Sequence, residues 1–327
     1  MIRIEKYDES RKVAWENLLS CAVNGTFLHS RNFMDYHRDR FKDASVLVYE
    51  DGECVGIFPA NYESSGKVIS HAGLTYGGLI VEFGTCSKDT MRHLAAILKF
   101  FYQEGVQILD IKLVPDFYHK NIRQDIEYGL KLAKGKIEKM DLTCVVNLRS
   151  NIEIPRQKSR IKGAEKARNN EVYIQETSRF EEFWTNVLTP NLMKRHGVKP
   201  VHTLDEIQYL HDKNEGRIRQ FNVYQKDEII GGTTIFETQT TAHTQYISST
   251  VKGRNLGALD YLFIYLIDEV FKKKKYFDFG AVNEESEWNL NEGLLFWKEG
   301  FGARGFVQRH YSVETKNYSL IEQIFNT

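Results

Sequence analysis

The feature that most constrains this chain is one short pattern that occurs twice. Residues 48–57 read VYEDGECVGI and residues 223–232 read VYQKDEIIGG, so that Val, Tyr, Glu and Gly recur at equal spacing. Both segments predict a β-hairpin, because Asp51-Gly52 tolerates the positive φ angles of a tight turn, whereas Lys226-Asp227 gives a weaker turn signal. The recurrence predicts two copies of one structural unit.

The segments that follow each hairpin keep the same order in both halves. A further strand region precedes an amphipathic helix, over residues 91–102 in the first half and 259–270 in the second. A short apolar strand comes next, over residues 108–113 and 276–279. This order predicts a mixed α+β fold built from two similar domains.

The domain boundary is predicted just after an apolar strand over residues 143–148, where a polar, charged stretch begins. A chain of 327 residues suits two domains of about 150 residues each. We therefore expect domain 1 at residues 1–152 and domain 2 at residues 153–327, with Asp110 and Asp278 in corresponding places.

Composition excludes several classes of protein. The chain has 44 basic and 44 acidic residues, so no overall charge attracts it to DNA or to an anionic membrane, and any polyanion site must be local. The apolar share of 42% excludes a disordered chain. The four cysteines are far apart and the ten histidines form no H-E-x-x-H motif, which predicts reduced thiols and no metal site.

No segment of the sequence predicts secretion or membrane insertion. The amino terminus is charged from its third residue and lacks an apolar core with a cleavage site. The most apolar helix candidate, residues 256–271, contains Asp260, Asp268 and Glu269 and is shorter than the roughly 20 apolar residues that a bilayer requires. We expect a cytoplasmic protein with no transmembrane segment.

Three local features suggest binding sites, and each has a purely structural alternative. Residues 156–168 include six basic residues and one acidic residue, which suits a phosphate-rich ligand or a solvated helix. Tyr76-Gly77-Gly78 is either a simple turn or a place where a substrate approaches the backbone. Residues 251–258 (VKGRNLGA) connect a strand to a helix whose amino terminus would favour an anion.

Residues 251–258 resemble the pyrophosphate loop of GNAT-type N-acetyltransferases, whose pattern is Gln/Arg-x-x-Gly-x-Gly/Ala. The resemblance implies that Arg254, Asn255, Leu256 and Gly257 bind the pyrophosphate of acyl-coenzyme A. Residues 277–283 and 296–301 resemble the closing signature of the same superfamily. Phe296 stands there in place of the tyrosine that protonates the departing thiolate in many members, which a phenyl ring cannot do.

Three further segments resemble Fem-type peptidoglycan aminoacyltransferases and similar acyltransferases of envelope and polysaccharide pathways. They are residues 297–302 (WKEGFG), 159–168 (SRIKGAEKAR) and 27–33 (FLHSRNF). The resemblance runs from about residue 20 to 315. It implies two tandem GNAT-like domains, each a mixed, mostly antiparallel sheet flanked by helices, with the acceptor on domain 1 and the donor and catalytic groups on domain 2.

The resemblance implies transfer of an acyl or aminoacyl group to an amine of a cell-envelope or polysaccharide precursor. We expect Lys298, in an aromatic and glycine-rich setting, to stabilise the oxyanion, although an exposed lysine before a turn is the alternative. Asp278 and Asn283 are catalytic candidates because they lie at a strand end and in the next loop. The candidates for substrate binding are His37, Arg38, Tyr76, Gly77, Gly78, Arg160, Lys162 and Trp297.

The donor, the acceptor, the general base and the oligomeric state stay open at this stage. The donor co-substrate is either acyl-coenzyme A or an aminoacyl-tRNA, and no tightly bound cofactor is expected. One alternative function is a coenzyme-A-dependent N-acetyltransferase that acts on a small amine or an amino sugar. The other, suggested by Phe296, is a module that binds a sugar nucleotide or a protein and has lost catalysis.

Overall fold

A computed structural model describes residues 1–152, 154–284 and 289–325. The chain forms two compact units. Unit 1 consists of Met1–Asp141 together with Val307–Thr327, and unit 2 consists of Leu142–Phe306.

The described residues form fifteen strands and twelve α-helices. The strands are β1 (Ile2–Lys6), β2 (Lys42–Asp43), β3 (Val46–Glu50), β4 (Glu53–Phe58), β5 (Asn61–Ser64), β6 (Lys67–Ile69), β7 (Ile80–Val81), β8 (Ile108–Lys112), β9 (Lys136–Asn147), β10 (Val172–Thr177), β11 (Ile218–Gln225), β12 (Glu228–Glu237), β13 (Thr241–Ser249), β14 (Tyr276–Ala281) and β15 (Arg304–Glu314). The α-helices are α1 (Lys12–Cys21), α2 (Arg31–Met34), α3 (Ser87–Gln103), α4 (Asp125–Leu132), α5 (Lys158–Asn169), α6 (Glu181–Phe183), α7 (Thr189–His196), α8 (Leu204–Lys213), α9 (Val251–Leu256), α10 (Ala258–Tyr265), α11 (Glu292–Glu299) and α12 (Tyr318–Phe325). Two helices include a π-helical turn, at Trp184–Leu188 and Leu266–Val270, and 3-10 turns cover Glu9–Arg11, Phe27–His29, Asp35–His37, Asp116–Tyr118 and Thr315–Asn317.

Unit 1 contains two sheets and one apolar core. Strands β1, β3, β4 and β7 form an antiparallel sheet in that order. A second sheet pairs β8 with β6 and continues to β5 and β2. The apolar face of α3 packs into the core, where Leu94, Leu98 and Phe101 are fully buried, as its periodicity predicts.

Unit 2 is one sheet with an aromatic core against its helices. The strand order is β10-β11-β12-β13-β14-β9, and every pairing is antiparallel except that of β13 with β14. Phe263 of α10 contacts Phe277 and Phe279 of β14 and also Phe301. These rings lie in the core and fix α10 against the sheet.

The two predicted hairpins are confirmed, and they share one register. Val48 pairs with Gly56 in β3–β4, and Val223 pairs with Gly231 in β11–β12. In both hairpins the register shifts between that valine and the following tyrosine. Asp51 and Gly52 adopt φ angles of 51° and 93°, as the tight turn requires. The common register and bulge support the interpretation of the chain as a tandem repeat.

One sheet in each unit is completed by a strand from the other half of the sequence. The end of β9 pairs with β14 in unit 2, where Val145 faces Asp278. The end of β15 pairs with β8 in unit 1, where Tyr311 faces Ile111. A boundary at residue 152 keeps β9 with the first half and β15 with the second. The compact units differ from these sequence-based domains, because residues 142–152 belong to unit 2 and the residues from 307 onward, including α12, belong to unit 1.

Candidate functional site

Unit 2 contains a cavity of about 500 Å³ at the end of β13. Its walls come from the end of β13, from α9 and α10, and from α5, α7 and α11. The lining residues are Arg160, Asn191, Leu192, Arg195, Ile247, Ser248, Ser249, Gly253, Arg254, Gly257, Ala258, Leu259, Asp260, Leu294 and Trp297. Four sequence-predicted site residues, Arg160, Arg254, Gly257 and Trp297, therefore line one cavity.

The junction of β13 and α9 is fixed by side chains. Thr250 caps α9, because its hydroxyl accepts a hydrogen bond from the backbone N–H of Gly253. Arg254 donates to the carbonyl oxygen of Ser249 at 2.8 Å. Asn191 of α7 donates to the Ser248 hydroxyl at 2.7 Å and to the same Ser249 carbonyl at 2.6 Å. This end of the cavity is therefore preorganised.

Two arginines give the cavity an excess of positive charge. Among the described residues, neither Arg195 nor Arg254 has a carboxylate within 4.0 Å. Arg160, by contrast, donates to Asp260 at 2.6 Å. Guanidinium groups without a carboxylate partner, beside the apolar Leu259 and Trp297, suit a ligand that carries both phosphate and apolar parts.

Asp260 joins three helices at the cavity wall. Its Oδ1 atom accepts from Arg160 of α5 at 2.6 Å and from Trp297 Nε1 of α11 at 3.3 Å. Burial raises the pKa of Asp260, although Arg160 and Trp297 favour the ionised form. Arg160 and Trp297 are predicted site residues, whereas the sequence analysis used Asp260 only as a charge that argues against a membrane helix.

Gly257 allows the end of α9 to lie in close contact with α5. It ends α9 with a left-handed φ of 74°, and a Cβ atom there would lie 2.2 Å from the carbonyl oxygen of Gly163 in α5. Glycine is required for both reasons. Asn255 is exposed and Leu256 packs against the core, and neither lines the cavity, so their contact with a phosphate stays a prediction.

Lys298 is buried, with 3% of its surface exposed, and does not line the cavity. Its ammonium donates to the carbonyl oxygens of Gly280 and Ala281 at 2.9 and 2.8 Å. Burial lowers the pKa of Lys298 to about 8, although Cys144 and Asp278 act in the opposite direction. The lysine thus satisfies two carbonyl groups at the end of β14, and its role with an oxyanion stays a prediction.

Asp278 is buried beside a histidine that the sequence reasoning missed. Its carboxylate accepts from the Thr143 hydroxyl at 2.7 Å, from the Gly280 N–H at 2.8 Å and from His243 Nδ1 at 2.7 Å. Burial opposes the charge, but His243 and these hydrogen bonds outweigh it and lower the pKa of Asp278. One sequence signal could have identified it: His243 lies near the start of the predicted strand that precedes the most apolar helix.

Asn283 and Lys162 have simpler surroundings. The Oδ1 atom of Asn283 accepts a hydrogen bond from the Leu142 N–H at 2.7 Å, which ties the loop after β14 to β9. Lys162 of α5 is exposed and lies outside the cavity lining. Neither residue joins the group formed by Arg160, Arg254, Gly257 and Trp297.

The candidates in unit 1 have mostly structural contacts. His37 is 2% exposed, donates from Nδ1 to the Met34 carbonyl at 2.6 Å and stacks on Tyr36, while its neighbour Arg38 is exposed. Tyr76 is also 2% exposed and donates to the Thr26 hydroxyl at 3.2 Å. An acceptor-binding role for these three candidates stays a prediction.

The two glycines after Tyr76 are needed by the backbone. The N–H of Gly77 donates to the Lys112 carbonyl at 2.7 Å, and a Cβ atom at Gly77 would lie 2.4 Å from the Ser70 carbonyl oxygen. Gly78 has a positive φ of 91°, a value that L-residues rarely adopt. Both glycines therefore have a structural reason, and substrate contact at them stays a prediction.

Comparisons with known proteins identify the fold. No protein-family model matches the chain, and no curated protein matches it significantly. Among solved structures, FemX aligns over 98% of this chain and 100% of its own, with 12% identity and a TM-score of 0.67. L-PGS from Bacillus licheniformis aligns over 98% of both chains, with 12% identity and a TM-score of 0.55. The tandem GNAT protein from the clavulanic acid biosynthesis pathway aligns over 96% and 99%, with 9% identity and a TM-score of 0.50.

The fold is that of FemX and the tandem GNAT protein. The predicted fold class, a mixed α+β chain of GNAT-like architecture with mostly antiparallel sheets flanked by helices, is thereby confirmed. Identities of 12% and 9% establish the likeness of fold alone.

The described residues contain neither a metal-binding cluster nor a membrane-spanning helix. Within residues 1–152, 154–284 and 289–325, no three His, Cys, Asp or Glu side chains are arranged to hold a metal ion. No helix in the same ranges is long and apolar enough to cross a bilayer. All four cysteines are free.

Proposed function

We propose that this protein is an acyl or aminoacyl transferase that holds its activated donor in the cavity of unit 2. The observation that carries the proposal is the cavity itself, where Arg195 and Arg254 lie beside an apolar wall and have no carboxylate partner within the described part of the chain. Acyl-coenzyme A and aminoacyl-tRNA both combine phosphates with a reactive carbonyl. The likeness of fold to FemX and the tandem GNAT protein supports the same class of donor.

The proposed acceptor is an amine of a cell-envelope or polysaccharide precursor in the cytoplasm. The amine nitrogen attacks the carbonyl carbon of the donor, and the thiol or the tRNA hydroxyl leaves. Positioning of the amine and stabilisation of the oxyanion supply most of the rate in such a reaction. Lys298 is proposed to stabilise the oxyanion, because within the described residues two carbonyl groups accept from two of its three N–H donors and the third is available. Asp278 and Asn283 belong to this proposal as groups that hold the reacting region in place.

The donor is tested by thermal-shift titration with coenzyme A and, separately, with a mixture of aminoacyl-tRNAs. A ligand of the native state stabilises by about 2.7 kcal/mol at a concentration 100-fold above its Kd. Arg254→Gln should weaken the binding of the true donor about 10- to 100-fold, because a charge-assisted hydrogen bond contributes about 1.5–3 kcal/mol. Lys252→Gln is the matched control, since Lys252 is a cation of the same helix α9 that pairs with Glu228 and lies outside the cavity lining.

The reaction is tested by following release of the thiol from acetyl-coenzyme A, or of free tRNA, with a panel of amines and amino sugars. Transfer by the wild type supports the proposal. Binding of a donor without transfer to any amine would replace the transferase with a binding module. If neither coenzyme A nor aminoacyl-tRNA shifts the melting temperature, the assignment of the cavity to a donor is refuted.

A further inference from the structure

His243 and Asp278 form a hydrogen-bonded pair on neighbouring strands of unit 2, with Asp278 buried and His243 partly exposed. They are partners in the parallel ladder of β13 and β14, and His243 Nδ1 lies 2.7 Å from Asp278 Oδ2. Asp278 is 2% exposed, and its other oxygen accepts from Thr143 and from the Gly280 N–H. These donors hold the carboxylate in one orientation, as a positioning residue requires.

The pair determines which nitrogen of His243 is available for chemistry. An ionised carboxylate only accepts hydrogen bonds, so Nδ1 must carry the proton in the bond to Asp278. In the neutral ring, Nε2 then has a free lone pair. Nε2 is not among the buried polar atoms, and within the described residues it has no hydrogen-bond partner. The side chain of His243 is 15% exposed.

The imidazole lies on the strand that leads to the cavity. In the described sheet, the ladder of β13 with β14 ends at His243 and Asp278. The ladder with β12 then skips Gln245, which marks a β-bulge, and Ile247 begins the cavity lining. Four residues of strand span about 13 Å. Bulges of this kind are common next to active sites.

Gly280 lies beside the ring. It has a positive φ of 77°, and a Cβ atom there would lie 3.4 Å from Cε1 of His243, the carbon between the two ring nitrogens. Two other charged groups of unit 2 are already engaged. Lys298 donates to backbone carbonyls, and Asp260 accepts from Arg160.

We infer that His243 is the proton acceptor of the transfer reaction and that Asp278 positions it; this inference rests on the proposed function. The acceptor enters as an ammonium ion and gives one proton to Nε2; the neutral nitrogen then forms a bond to the donor carbonyl carbon and releases its surplus proton to solvent as the amide forms. When the bond from that carbon to the thiol sulfur or the tRNA oxygen breaks, Nε2–H returns the proton to the leaving group. Asp278 stays ionised throughout, and no oxidant or metal is required.

The test compares two acceptors with acetyl-coenzyme A, or with the aminoacyl-tRNA that the titration selects. An alkyl amine is protonated at neutral pH and requires a base, whereas hydroxylamine is already unprotonated. His243→Gln should lower kcat with the alkyl amine at least about 100-fold, leave the KM of the donor unchanged, and have a much smaller effect with hydroxylamine. Asp278→Asn should act in the same direction, because an amide N–H favours the wrong tautomer.

His211→Gln is the matched control, since His211 also donates from a ring nitrogen to an acceptor in unit 2, the carbonyl oxygen of Ile218, at 2.7 Å, and it should keep wild-type kinetics. A second measurement needs no turnover. Diethyl pyrocarbonate, which reacts with unprotonated imidazole nitrogen, should modify His243 several-fold faster in the wild type than in Asp278→Asn, as peptide mass analysis would show.

The outcomes distinguish failure of the proposed role of His243 from failure of the proposed transferase function. A His243→Gln variant within threefold of wild-type kcat for the alkyl amine overturns the inference and leaves the proposed function intact. A wild type that transfers from no donor overturns the proposed function. In that case, rapid modification of His243 that depends on Asp278 still supports an available Nε2, and a His243 that resists the reagent overturns the inference as well.

Discussion

Lys298 should make the stability of unit 2 depend on pH in the alkaline range. Its ammonium is buried, and its pKa falls from 10.5 to about 8 in the folded chain. The unfolded chain therefore binds more protons than the folded chain between pH 8 and 10.5, so the free energy of unfolding rises with pH in this window. The unfavourable burial of the charge is fully present below about pH 8 and is relieved as Lys298 loses its proton.

The size of this stability change follows from the change in the pKa of Lys298 on folding. A fall from 10.5 to about 8 corresponds to roughly 3 kcal/mol, at about 1.4 kcal/mol per pKa unit. Between pH 7 and pH 10, about 2.5 kcal/mol of this should be recovered in the wild type. Lys298→Met keeps much of the packing but has no titrating group, so it should lack this gain.

The assay is urea unfolding of wild type and Lys298→Met at several pH values from 7 to 10, followed by tryptophan fluorescence. The measured quantity is the change with pH in the difference between the two free energies of unfolding. Lys162→Met is the control, because Lys162 is exposed and its removal should leave the wild-type profile. If the curves of wild type and Lys298→Met run parallel, the lysine is not held as a buried cation and the argument from burial fails.

Two further predictions concern stability. Gly257→Ala and Gly197→Ala both place a side chain at a left-handed helix end, with φ angles of 74° and 68°, but only Gly257 faces an obstructing backbone atom, at 2.2 Å. Gly197→Ala should therefore cost about 1–2 kcal/mol and Gly257→Ala about 1–3 kcal/mol more, as urea unfolding will measure; equal losses would contradict the close helix contact. Asp278 has a pKa below its ordinary 3.8, so it contributes stability above that pH that is lost as pH falls through the folded value. The free-energy difference between wild type and Asp278→Asn should accordingly shrink below about pH 4, and a constant difference would show that the carboxylate is not ionised in the fold.

Local patterns in the sequence were sufficient to predict several secondary-structure elements and some of the residues that line the cavity. The turn residues predicted both hairpins, and the apolar periodicity predicted α3 and α10. Arg160, Arg254, Gly257 and Trp297 were found because they lie in motifs that resemble known families. Each of these signals is contained in a short window of sequence.

The missing parts depend on contacts between distant segments. His243 becomes a functional candidate only because β13 pairs with β14 and places it beside Asp278. Asp260 looked like an isolated charge until α5 and α11 supplied Arg160 and Trp297. Tyr76 faces the interior of unit 1, a direction that a glycine-rich turn does not reveal. Such partnerships are set by tertiary packing, which no local pattern encodes.

The exchange of strands between the two halves of the sequence constrains how the chain is made in the cell. During synthesis, β8 of unit 1 cannot complete its sheet until residues 310–314 of β15 have left the ribosome, because Lys112 pairs with His310. Until then β8 presents an open edge, a hazard for aggregation. Unit 2 has its full sheet earlier, since β9 and β14 both precede β15. Unit 2 can therefore complete its sheet first, whereas the sheet of unit 1 stays incomplete until β15 has been synthesised.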